Sequence, residues 1–101
     1  MQESTLEKYI CKKVKQAGGR HFKWVSPGVS GVPDRIFIFP GGRIVFVEIK
    51  RPGREKGLSL RQKKIIMQLL GLGATVWVLN SKVDFEIMLQ EFLKTGGANV
   101  L

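Results

Sequence analysis

The chain has 101 residues and a mass of 11.3 kDa, which is enough for one domain with a single core. Lys and Arg number 17 against 8 Asp and Glu, a formal charge of +9 with a pI near 10.1, the profile of a polyanion binder and by default of a nucleic-acid binder. One Cys and one His exclude an intrachain disulfide and a Cys/His zinc site, the scatter of basic residues disfavours an anionic membrane surface, and no apolar run approaches the ~20 residues of a membrane span.

The N-terminus lacks the charged and apolar regions of a signal peptide, so the expected compartment is the reducing cytoplasm. The first predicted element is a helix from about Ser4 to Ala17, with Leu6, Tyr9, Ile10, Val14 and Ala17 at three- and four-residue spacing and Gly18-Gly19 as its stop. Ser4 and Glu7 form an S-x-x-E pattern that makes Glu7 a capping partner. Glu7 also shares a face with Ile10, Cys11 and Val14, which turns its carboxylate inward, and both roles stay open. Lys8, Lys12, Lys13 and Lys15 occupy other faces, as solvated charges or phosphate contacts.

Arg20 to Val25 alternates polar and aromatic residues and predicts a short, partly exposed strand; His21 within it takes no assigned role. Residues 26–33 are too rich in Gly, Pro and Ser for regular structure and form a loop that enters Asp34. Gly28 and Gly31 allow close approach of a phosphate there.

Asp34 to Phe39 and Arg43 to Lys50 predict two strands joined through Pro40-Gly41-Gly42. In the second, Ile44, Phe46, Glu48 and Lys50 share one face and Val45, Val47 and Ile49 the other, the pattern of a central strand covered on both sides. Asp34 lies seven residues before Gly41 and Glu48 seven after it. A three-residue loop centred on Gly41 sets the two carboxylates opposite each other on one face; a two-residue Gly41-Gly42 turn sets them on opposite faces unless a bulge intervenes.

Arg51 to Gly57 is a basic, Gly-rich connection. A helix from about Ser59 to Leu72 follows, capped by Ser59, with Leu58, Leu60, Ile65, Ile66, Leu69 and Leu70 as its apolar positions. Gln62 lies near that apolar face, where its amide is placed to contact Lys50 or a phosphate, while Arg61, Lys63 and Lys64 reach outward. Ala74 to Leu79 is an apolar strand, and Val83 to about Lys94 a last helix. The expectation is one domain over residues 1–101, an α/β fold in the order αβββαβα with a mixed sheet flanked by helices. The helical crossover favours parallel pairing of the last strand.

Carboxylates and an ammonium among Ile, Val and Phe must be paired, neutralised or bound to a cation. A hard cation, Mg2+ or Mn2+, held by Asp34 and Glu48 supplies what phosphodiester hydrolysis needs. The Ile49 carbonyl and Glu7 are further candidate ligands, and Lys50 is placed to orient or deprotonate the water. Ser30, Gly31, Arg51, Arg54, Lys56, Arg61 and Lys63 are the candidate nucleic-acid contacts. No Ser-His-Asp arrangement and no P-loop is present, so no nucleotide cofactor is expected.

At these residues the chain resembles the PD-(D/E)xK nuclease superfamily, with Pro33-Asp34 and Glu48-Ile49-Lys50 matching both halves of its signature. More closely it resembles the viral-type replication and repair nuclease (VRR-NUC) family, through Gly31-Val32-Pro33-Asp34, Phe46-Val47-Glu48-Ile49-Lys50, Ser59-Leu60-Arg61-Gln62 and the N-terminal helical Glu7. The resemblance implies a restriction-endonuclease-like core and metal-dependent cleavage of DNA, often branched or flapped, by a homodimer. The alternative is a catalytically silent DNA-junction-binding module in which Asp34, Glu48 and Lys50 form a structural ion-pair cluster.

Overall fold

The computed structural model describes residues 4–51 and 57–95. Its elements are α1 (Thr5–Gln16), β1 (Arg20–Lys23), β2 (Arg35–Phe39), β3 (Arg43–Ile49), α2 (Leu60–Gly71), β4 (Thr75–Leu79) and α3 (Lys82–Thr95). This is the expected order, with ends shifted by one or two residues. The four strands form one sheet in the order β1-β2-β3-β4. β1, β2 and β3 pair antiparallel, and β4, reached through α2, pairs parallel with β3 as the crossover requires.

Side-chain alternation decides what each face of the sheet buries. Phe37 and Phe39 of β2, Val45 and Val47 of β3, and Trp77 and Leu79 of β4 point to one side, where Leu6, Ile10 and Val14 of α1 and Phe85 and Leu89 of α3 close the core. Each such side chain contributes about 1.5–3 kcal/mol on burial. Leu6, Ile10 and Val14 recur every four residues, so one stripe of α1 meets the sheet while its lysines stay out. Ser4 starts the helix by accepting the Glu7 N–H at 3.0 Å.

On the opposite face, among the described residues, α2 packs against β4 and the Trp24 ring lies 5.0 Å from that of Phe46. Here two expectations fail. β3 is central in the sheet, but Ile44 on this face is 47% exposed, because α2 does not reach that far across. Within α2 itself only Ile66 is buried, and Leu60 is 84% exposed, so the apolar face read from the sequence is wider than the surface the sheet offers it.

The β2–β3 hairpin carries the geometry that matters most. Phe39 pairs with Arg43 and Arg35 with Val47, so the ladder is centred on Gly41. Gly41 and Gly42 have φ of 89° and 74°, and the Gly42 N–H donates to the Phe39 carbonyl at 3.1 Å, closing a three-residue loop over residues 40–42. Of the two registers open at the sequence level, this is the odd one. Continued by one residue past Arg35 and Val47, it sets Asp34 across from Glu48 on the α2 face of the sheet.

Candidate active site

Three segments meet where β2 begins and β3 ends. Asp34 stands at the exposed mouth of β2, where its Oδ2 accepts the Ile49 N–H at 3.2 Å and its backbone carbonyl accepts the Trp24 N–H at 2.9 Å. Glu48 is only 4% exposed. Its Oε2 accepts from Gln62 Nε2 at 2.8 Å and faces Lys50 Nζ at 3.2 Å. Lys50 Nζ in turn donates to Gln62 Oε1 at 3.0 Å. The three side chains form a closed triangle: carboxylate, ammonium and amide.

Gln62 can serve this triangle because of where α2 starts. Ser59 caps the helix by accepting the Gln62 N–H at 3.1 Å, and Gln62 Oε1 accepts the Ser59 N–H at 3.0 Å, a complete capping box. One amide therefore closes the helix N-terminus and reaches both Glu48 and Lys50. The 26–33 loop is fitted onto the same turn: Gly31 has φ +92°, and a Cβ there would meet the Arg61 carbonyl oxygen at 2.8 Å. Arg61 Nη1 donates to Ser30 Oγ at 2.9 Å from the other side.

Burial pushes the Glu48 carboxyl above its ordinary range, and the neighbouring charge of Asp34 pushes the same way; the hydrogen bond and positive charge of Lys50 pull it back. Glu48 Oε1 is buried and has no hydrogen-bond donor among the described residues. A buried, unpartnered carboxylate oxygen beside a second carboxylate is costly to leave alone. A cation at that point would satisfy it, so the residues fit a hard divalent ion, with the Asp34 and Glu48 carboxylates on one sheet face as oxygen donors.

Glu7 is not brought to this group. Its Oε2 accepts from Arg35 Nε at 2.9 Å, and Arg35, 2% exposed, alternates to the α1 face of the sheet, away from Glu48. Among the described residues, no three His, Cys, Asp or Glu side chains gather so as to hold a metal ion. Nor is Glu7 a capping partner: the cap bond of α1 runs from its backbone N–H to Ser4, while its carboxylate is spent on Arg35. Arg35 is the buried charge that the sequence reading passed over. Its position two and four residues before the inward Phe37 and Phe39 was the available signal. His21 Nδ1 lies 3.0 Å from Arg35 Nη1, so this histidine also belongs to the α1 side.

Of the candidate nucleic-acid contacts, Ser30, Arg51, Arg61 and Lys63 are exposed, and Gly31 is partly covered by α2. Arg54 and Lys56 lie outside the described residues.

No family model matches the chain. A relative, "Putative nuclease p44" of Acyrthosiphon pisum secondary endosymbiont phage 1, is 40% identical over 82 residues, which make up 81% of this chain and 86% of that protein. A solved structure described as "VRR_NUC domain" superposes with a TM-score of 0.81 at 28% identity, covering 86% of this chain and 92% of its own. The chain belongs to the VRR-NUC family. The VRR-NUC fold thus accounts for the mixed four-stranded sheet and the helices on its two faces. No helix among the described residues is long and apolar enough to cross a membrane.

Proposed function

We propose that this VRR-NUC chain is a Mg2+- or Mn2+-dependent DNA endonuclease, selective for branched, flapped or junction DNA and working in replication, repair or recombination. The observation that carries the proposal is the buried Glu48 Oε1, without a donor among the described residues, on the sheet face it shares with Asp34 and Lys50. The name of the phage relative, "Putative nuclease p44", agrees with it. So does the net charge of +9, which suits a phosphate backbone.

In this mechanism Asp34 and Glu48, with the Ile49 carbonyl, would hold the cation. When bound, the cation supplies positive charge against the phosphate and acidifies water. The protein's part is positioning. Gln62 fixes the Glu48 carboxylate through Oε2, leaving Oε1 for the cation, and fixes the Lys50 ammonium through its own carbonyl. Lys50 then faces the scissile phosphate, where its charge offsets the negative charge that builds in the transition state and its Nζ orients the attacking water. Asp34, open to solvent, gives the phosphate access from the side of the 26–33 loop. Ser30, Gly31, Arg51, Arg61 and Lys63, with Arg54 and Lys56, hold the DNA backbone. Glu7 acts through Arg35, as a support behind β2.

A homodimer suits a two-fold pseudo-symmetric junction. Phe22, Ile38 and Ile44 support it: all three are exposed on the part of the sheet that α2 leaves open, an apolar surface that a second copy would cover. Sedimentation that finds only monomer at micromolar concentration counts against it.

The substrate reading is tested by incubating the protein, with each metal in turn, with labelled linear, flapped and four-way DNA, and with RNA of the same shapes. Faster cutting of the flapped or four-way DNA is expected. Inactivity on every substrate with both metals leaves a DNA-junction-binding module in which Lys50 and Glu48 are a structural ion pair.

A further inference from the structure

Beside the site, between the 26–33 loop and the outer surface of α2, lies an open groove of about 400 Å³. Val29 and Ser30 form one wall, and Arg61, Lys64, Ile65 and Gln68 the other. The Arg61 to Ser30 hydrogen bond ties the walls together. Among the described residues the polar lining consists of two cations, an amide and a hydroxyl, with no carboxylate, so its chemistry selects an anion. Val29, 48% exposed, and Ile65 add apolar surface that phosphate alone leaves unused.

Both walls run directly into the residues already described. Arg61 precedes Gln62 on α2, and the loop that carries Val29 and Ser30 runs into Asp34. The seating of Gly31 on the Arg61 carbonyl makes loop and helix one surface. The groove therefore adjoins, through Arg61 and Ser30, the segments that carry Gln62 and Asp34.

We propose that this groove binds one nucleotide of an unpaired strand, its phosphate on Arg61 and Lys64 and its base against Val29 and Ile65; the inference rests on nucleic acid being the ligand of the neighbouring site. A duplex offers phosphates to such a groove but keeps its base faces stacked and out of reach. An unpaired nucleotide offers both at once. The volume falls within the ~300–1,000 Å³ range of small-molecule sites, a scale that suits a single nucleotide. The groove thereby reads strand pairing next to the point of cleavage.

Fluorescence anisotropy in EDTA tests this without cleavage, using a labelled oligothymidylate, an abasic strand of the same length and a blunt duplex. Wild type is expected to bind the oligothymidylate several-fold tighter than the abasic strand. Lys64→Ala lowers the slope of log affinity against log salt on the single strand by about 0.7, one phosphate contact. Val29→Ser abolishes the preference for bases and leaves that slope unchanged. Both side chains are exposed, so unchanged thermal melts are expected for the two variants. Equal wild-type affinity for oligothymidylate and abasic strand overturns the proposal, as does single-strand binding that neither substitution alters. A chain that shows the predicted binding pattern but cuts nothing with either metal refutes the nuclease reading and keeps the groove. One that cuts DNA but binds base-bearing and abasic strands alike refutes the groove alone.

Discussion

Gln62 Nε2 donates to Glu48 Oε2 at 2.8 Å, so the first turn of α2 holds the carboxylate near the end of β3. The same amide closes the helix cap and receives Lys50. Gln62→Ala therefore removes three bonds at once. It is expected to lower stability by about 1–3 kcal/mol, since Glu48 loses a donor and α2 its capping box. On the proposed mechanism, activity at saturating metal is expected to fall about 10–100-fold, as for groups that orient a metal-holding carboxylate. Urea titration and initial rates check the two parts separately.

Glu48 gives the metal-free protein a pH dependence of definite sign. Its carboxyl binds a proton more tightly in the fold than in the unfolded chain, because burial and Asp34 disfavour its charge. The folded state thus holds more protons than the unfolded one across that window. The Glu48 contribution to stability is complete below the unfolded carboxylate value and is lost as pH rises through the higher folded value. Glu48→Gln is expected to flatten this part of the stability profile in EDTA. Lys50→Met, which removes the group that pulls Glu48 down, is expected to shift it to higher pH. Thermal melts from pH 4 upward, roughly the carboxylate range, give both readings.

Arg35 and Glu7 form a pair of which one member is almost wholly buried, with side chains 3% and 21% exposed. Arg35→Met strands the Glu7 carboxylate between α1 and β2, and breaking such a pair from one side costs about 3–5 kcal/mol. Glu7→Gln in the same background recovers part of that loss, and a double-mutant cycle by urea denaturation measures how much. If Glu7→Gln alone abolished metal-dependent cleavage while leaving stability intact, Glu7 would belong with the ligands after all.

Gly31→Ala combines a positive φ with a 2.8 Å clash against the Arg61 carbonyl. A cost of about 1–3 kcal/mol is expected, with the 26–33 loop displaced from α2. Gly28→Ala, where an added Cβ meets nothing within 4 Å, is the control for the fold and should leave melting near wild type.

Much of this architecture was legible because local chemistry marked it. Ser4 and Ser59 cap helices, Gly41 and Gly42 turn the hairpin, and the odd count of residues between Asp34 and Glu48 confined the register to two choices. The structure selects one of them. What stayed hidden depends on coverage and on long-range pairing. The apolar residues of α2 and the Ile44 face of β3 look like core in the sequence, yet Leu60, Leu70 and Ile44 stay exposed, because a single helix cannot cover that whole side of the sheet. Likewise the Glu7 partner lies 28 residues away on another element, and only the inward alternation of β2 pointed to it.

In the proposed mechanism Asp34, Glu48 and Lys50 act together on a phosphodiester through a divalent cation. Cleavage of labelled flapped DNA by wild type, Asp34→Asn, Glu48→Gln and Lys50→Met, each with Mg2+, Mn2+ or EDTA, tests it most directly. Wild type should cut with either metal and not in EDTA; the two carboxylate variants should be inactive, and Lys50→Met slower by about 10²–10³-fold. Undiminished cutting in EDTA, or wild-type rates from the folded Asp34→Asn and Glu48→Gln variants, would contradict it.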